Sequence, residues 1–202
     1  MAEVNLQVAA SSDDCSKDDY SHDWNIVYGN TYLAYDAGNY PRFGSAFRFL
    51  NVAIPKGATI TAAYFTLRCS ISRSGTAVNS RIRAQAADNP ITFSTLADFD
   101  ARAWTTAYVH WDNIPAWTAN TDYQGPDISS VIQEIINRAG WVSGNALVIL
   151  HDDFEGRSTQ AGYCERLGYS YDGSATYAPK LHIEYTPPGG GPAGRSYACI
   201  IG

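Results

Sequence analysis

Positive charge is scarce in this chain. Lys and Arg total 14 against 20 Asp and Glu, a formal net charge of −6. That leaves no cationic surplus to neutralise a phosphate backbone, which argues against general nucleic-acid binding. Charged residues of both signs make only 17% of the chain and Met occurs once, so composition favours strands and turns over helical bundles. Long apolar runs are missing too. The longest aliphatic stretch, Ala146-Leu147-Val148-Ile149-Leu150, is far too short to span a bilayer, and no membrane partner is expected. Met1–Val8 holds no basic segment followed by an apolar one, so no secretory signal is read there. The expectation is synthesis in the cytoplasm, with lysis or another route for any exit.

Chemical signatures are equally sparse. Cys15, Cys69, Cys164 and Cys199 form no CxxC pair and no zinc pattern. They allow three full pairings, and spacing does not choose among them. Without a signal, free thiols packed as small apolar groups are the simpler reading. No GxSxG, HExxH or reactive-cysteine signature occurs, so the chain is read as no enzyme. Gly189–Gly194 fits GxGxxG literally. A dinucleotide loop needs a strand before it and a helix after it, whereas Pro187, Pro188 and Pro192 surround this one. It reads as a linker.

What the sequence does contain is alternation. At 202 residues the chain is one domain, perhaps with a tail, and 45% apolar content supports a real core. Apolar residues alternate with polar ones over Val4–Val8, Ala63–Ile71, Val78–Ala86, Ala107–Trp111 and Leu181–Tyr185. Each reads as a strand with one face inward. Thr31–Asp36, Ala46–Val52, Asn145–His151 and Cys164–Tyr171 are further strand candidates. One amphipathic helix stands out. Ile128, Val131, Ile132, Ile135 and Ile136 make a single stripe, opened by Pro126-Asp127, with Ser130 and Gln133 as a candidate capping box and Gly140 as a left-handed exit. A second short helix is expected near Leu96–Ala103, capped by Ser94 or Thr95.

Three blocks carry a resemblance. They are Phe47-Arg48-Phe49 with Ile54-Pro55-Lys56-Gly57-Ala58-Thr59-Ile60 and Ala62–Leu67, then Pro126-Asp127-Ile128 through Gly140-Trp141 to Gly144–Leu147, then Tyr169–Asp172 with Ala178-Pro179-Lys180-Leu181-His182-Ile183-Glu184-Tyr185. Together they resemble the DNRLRE-type jelly-roll modules of phage structural and extracellular proteins, which are similar in fold to carbohydrate-binding modules. The resemblance implies a virion or extracellular location after lysis. The fold expected is all-β: a jelly-roll β-sandwich over residues 1–186 with one short amphipathic helix. A Pro/Gly linker and apolar C-terminal tail follow over 187–202.

Candidate sites follow from residue type. Trp104, Trp117, Tyr108 and Tyr123 are flat rings suited to stacking on a glycan. Asp13 and Asp14, with Asp18, Asp19 and Asp23 nearby, and Asp152 and Asp153 are candidate oxygen ligands for a structural Ca²⁺. His151-Asp152 is a weaker acid–base candidate. Tyr197, Ile200 and Ile201 are candidate assembly contacts in the tail. The expected role is a non-catalytic structural or accessory protein that joins other subunits, as a homo-oligomer or with virion proteins. A phage decoration or tail component is its most specific form, and a carbohydrate-binding or adhesin module is the alternative.

Overall fold

The structure is a computed structural model and describes residues 1–19, 24–35 and 42–189. The strands are β1 (Ala2–Gln7), β2 (Asp14–Asp18), β3 (Trp24–Asn25), β4 (Asn30–Tyr35), β5 (Arg42–Phe49), β6 (Thr59–Ile71), β7 (Ser80–Ala84), β8 (Val109–Trp111), β9 (Asp122–Gln124), β10 (Leu147–Asp152), β11 (Glu165–Tyr169) and β12 (Lys180–Thr186). The helices are α1 (Leu96–Asp100) and α2 (Ser129–Ile136). Every alternating stretch of the sequence lies on a strand, because a two-residue period puts its apolar side chains on one face.

The strands form one antiparallel path, β1-β12-β6-β11-β4-β5-β10-β7-β8, with β2 beside β5 and β9 beside β6. The path folds over at β4 and β5, so that its two halves face each other. Phe65 on β6 meets Phe47 of β5 at 6.1 Å, Trp111 of β8 at 5.9 Å and His151 of β10 at 5.3 Å between ring centres. This is an all-β sandwich with two short helices.

β10 explains the continuous apolar run. Leu147 and Ile149 join the main core between the layers. Val148 and Leu150 point the other way, into a second pack with Cys15, Ala46, Phe93 and Phe99. The segment carrying α1 covers that outer face. Both faces of the strand are buried, so both must be apolar.

α2 closes one side of the main core with Val131, Ile132, Ile135 and Ile136. Its start differs from the expected capping box. Asp127 caps instead, accepting the Ser129 N–H at 3.0 Å and the Ala63 N–H of β6 at 3.0 Å. Gln133 accepts the Ile60 N–H at 2.8 Å and donates to the Ala58 carbonyl at 3.0 Å. Gln133, expected in the capping box, thus bonds the start of β6 and the turn before it. Gly140 is not left-handed either; a Cβ there would lie 2.1 Å from a carboxylate oxygen of Asp88, which pairs with Arg138 and would have to shift to make room. α1 starts as expected, with the Thr95 hydroxyl accepting the Asp98 N–H at 3.1 Å. Cys15, Cys69 and Cys164 are buried free thiols. Cys199, Asp23 and the tail contacts Tyr197, Ile200 and Ile201 lie outside the described residues.

Candidate functional site

Three loops meet at one end of the sandwich. They join β6 to β7, β8 to β9 and β10 to β11. Arg73 and Trp117 exchange backbone hydrogen bonds at 3.0 Å each, and the Gly75 N–H donates to the Tyr163 carbonyl at 2.9 Å. Gly75 is obligatory there, since a Cβ would sit 2.4 Å from that carbonyl oxygen. Arg166 of β11 ties the loops together from beneath. Its guanidinium donates to the carbonyls of Pro115 at 2.7 Å, Gly75 at 2.8 Å, Ile114 at 2.9 Å and Glu165 at 2.9 Å. Arg166 is buried, and burial lowers its pKa from the usual arginine value, opposed by Cys164 and Glu165.

Between these loops runs a groove open to solvent. One part, about 330 Å³, is lined by Arg73, Trp117, Thr118 and Tyr163, and a second of about 240 Å³ by Ser74, Asn113, Pro115 and Arg166. Small-molecule sites span roughly 300–1,000 Å³. Arg73 is salt-bridged to Glu165, and its guanidinium lies 5.5 Å from the centre of the Tyr163 ring. The other Glu165 oxygen, Oε2, is buried with no hydrogen-bond partner among the described residues, and so is Trp117 Nε1. Tyr163 is 64% exposed and left-handed, with φ 66°. A non-glycine residue in that region costs about 1–2 kcal/mol.

The four expected stacking rings separate. Trp117 is only 2% exposed, which corrects its reading as an open platform. It lies flat on Tyr123, with ring centres 4.8 Å apart and planes at 11°, and forms the groove's floor. The Tyr123 hydroxyl accepts the Thr118 N–H at 2.8 Å. Trp104 is half-buried against Phe99, under the Arg83 guanidinium. Tyr108 is exposed beside His110 and lines neither part of the groove.

The acidic residues are each held by the chain itself. Asp13 accepts from Arg48 at 2.7 Å. Asp14 accepts the Tyr171 N–H at 2.7 Å, and burial, helped by Asp172 and Asp13, pushes its pKa up to about 7 against that bond. Asp152 sits between Arg83 at 3.0 Å and Arg81 at 3.5 Å. Asp153 accepts the Arg157 N–H at 2.9 Å and that of Ser158 at 3.2 Å. Among the described residues, no three His, Cys, Asp or Glu side chains gather as a metal-ligand cluster. The expected Ca²⁺ ligands are therefore neutralised by arginines or by backbone N–H groups, not assembled around one point.

His151 and Asp152 do not form an acid–base pair. Adjacent strand residues point to opposite faces. His151 faces the core between Phe47 and Phe65, while Asp152 faces the arginines of β7. Sequence reasoning missed Arg73, Tyr163, Glu165 and Arg166. Tyr163 sits in no periodic pattern, and nothing local marks Arg166 as buried. Comparison with known protein families and with curated proteins finds no match to this chain.

Proposed function

We propose that this chain is a non-catalytic structural or accessory module that assembles into a larger particle, with a phage virion decoration or tail component as its specific form. One observation carries the reading: β1 is an undefended sheet edge. It pairs with β12 in continuous register from Ala2↔Tyr185 to Gln7↔Lys180, and no described strand lies on its other side. It holds no proline, no lysine and no bulge, and Glu3 is its one charge. Proteins usually blunt such edges with those devices. An open edge accepts an added strand through main-chain hydrogen bonds.

The sequence also carries a candidate strand for the same edge on a neighbouring copy. Thr186 ends β12 next to Ala2, and the sequence continues through Pro187–Gly194 to Tyr197-Ala198-Cys199-Ile200-Ile201. The strand–turn–strand block around Ile54-Pro55-Lys56-Gly57 supports the phage form through its resemblance to DNRLRE-type modules. Deleting residues 187–202 is expected to leave a folded chain that assembles with fewer copies per particle than the full chain, read by light scattering with circular dichroism. The same number of copies per particle in both chains rejects this route. A saccharide-binding or adhesin role is the second reading, favoured by the solvent-open groove beside Tyr163.

A further inference from the structure

We propose that the strand added to β1 is residues 197–201 of a second copy, running antiparallel to β1 with Tyr197, Cys199 and Ile201 on the core side of the sheet. This rests on the assembly reading and adds the donor's direction, register and buried face.

The edge dictates which backbone groups a donor meets. The Val8 N–H donates to the Pro179 carbonyl at 3.0 Å, in line with the β1–β12 pairs from Ala2↔Tyr185 to Gln7↔Lys180. Antiparallel ladders alternate bonded and non-bonded pairs, so Ala2, Val4 and Leu6 also turn their N–H and C=O toward β12. Those of Glu3, Asn5 and Gln7 point off the sheet, and no described strand receives them. Three donors and three acceptors thus stand in a row for one more strand.

The side chains dictate what that strand must carry. Leu181 and Ile183 of β12 are buried, whereas Ala2, Val4 and Leu6 beside them are only half-buried although they pack against the main core. The core layer therefore ends in a partly wet apolar row. A strand that covers it needs apolar residues at every second position. Tyr197, Cys199 and Ile201 have that spacing. With Cys199 opposite Val4, Ile201 falls opposite Ala2 and Tyr197 opposite Leu6. Ile200, Ala198 and Ser196 then meet Glu3, Asn5 and Gln7, and all three outward backbone pairs are engaged. A shift of two residues one way puts Arg195 opposite Leu6, and the other way moves all three apolar residues off Ala2.

Direction identifies the donor as a second copy. β12 ends at Thr186, beside Ala2, so a chain that continues directly onto its own β1 runs from Ala2 toward Gln7, parallel to that strand. Parallel pairing is slightly less stable per residue. An antiparallel donor enters at the Gln7 end, where another chain has to bring it.

The test is a cysteine pair in the assembled full chain. Opposed residues of a non-bonded pair stand about 4.5 Å apart at Cα, within disulfide reach. Val4→Cys is expected to join Cys199 under mild oxidation and give a band of twice the chain mass, with the link located by peptide mass spectrometry. Asn5→Cys, on the outer face, is expected to give no band, and Val4→Cys combined with Cys199→Ser to lose it. Cys15, Cys69 and Cys164 are buried and stay out of the exchange. With no cysteine changed, deleting residues 187–202 is expected to speed amide exchange of Glu3, Asn5 and Gln7 at least about tenfold and to leave Val4 and Leu6 as they were. Equal exchange at all five amides overturns the pairing. No link at Val4→Cys, a link within one chain, or a link through Asn5→Cys instead overturns the donor or its face. Either result leaves the assembly reading standing if the truncated chain assembles with fewer copies; an equal number of copies removes both.

Discussion

His151 shows how one strand position converts chemistry into packing. It is buried between Phe47 and Phe65, and neither ring nitrogen has a partner among the described residues. Burial pushes its pKa down to about 3 from an ordinary 6.5. The unfolded chain therefore takes up a proton below pH 6.5 that the folded chain refuses until about pH 3. Stability from this group is full above 6.5 and is lost as pH falls through that window. His151→Leu is expected to lose less stability than the parent between about pH 7 and pH 4, measured by urea unfolding, by a difference on the order of a few kcal/mol. An equal pH slope in both proteins rejects the account. Asp14 acts in the opposite sense. Its folded pKa, near 7, lies above its ordinary 3.8, so its contribution is full below 3.8 and lost as pH rises through 7. Asp14→Asn keeps an acceptor for the Tyr171 N–H and removes the buried charge. It is expected to melt higher than the parent at about pH 8 and equally near pH 4. A lower melting point at the higher pH shows that the carboxylate itself is needed.

Among the elements, legibility follows how each one satisfies its backbone and faces. β6 and β12 were visible because one face is greasy and the other wet. α2 was visible because its stripe repeats at helical spacing. β2 was not, although most of it is buried. Asp14-Cys15-Ser16-Lys17-Asp18 looks like an acidic loop, and its interior position depends on partners far away in sequence. The Ser16 hydroxyl meets that of Ser45 at 2.7 Å, and the Ser45 hydroxyl also bonds the Tyr32 backbone. β9, three residues long, is too short to show a period. Gln133 ties α2 to the start of β6 in addition to the apolar stripe. Gln133→Ala leaves the Ile60 N–H and the Ala58 carbonyl without these bonds and is expected to lower stability by about 1–3 kcal/mol in chemical denaturation. A change within error assigns the docking of α2 to its isoleucines alone.

For the whole molecule, the two proposed surfaces draw on different parts of the sandwich. The open edge β1 belongs to the β1-β12-β6 side, and the groove to the loops tied by Arg166. A change at one surface is expected to leave the other untouched: removal of residues 187–202 is expected to lower the number of copies per particle in light scattering, and Tyr163→Ala to leave that number unchanged. A lower copy number in Tyr163→Ala places both surfaces on one interface.

Alternation was enough to mark an all-β chain, sandwich or barrel, and one helical stripe to mark its amphipathic helix, because each is a local consequence of which side chains can leave water. Loop convergence is not local. Arg73, Trp117, Tyr163 and Arg166 lie up to 93 positions apart in number, and only the packing of three connections against one buried guanidinium brings them to a common groove. The same holds for Trp117, aromatic and loop-borne on paper but sealed beneath its neighbours in the fold. Whether a ring faces solvent depends on what the rest of the chain lays over it.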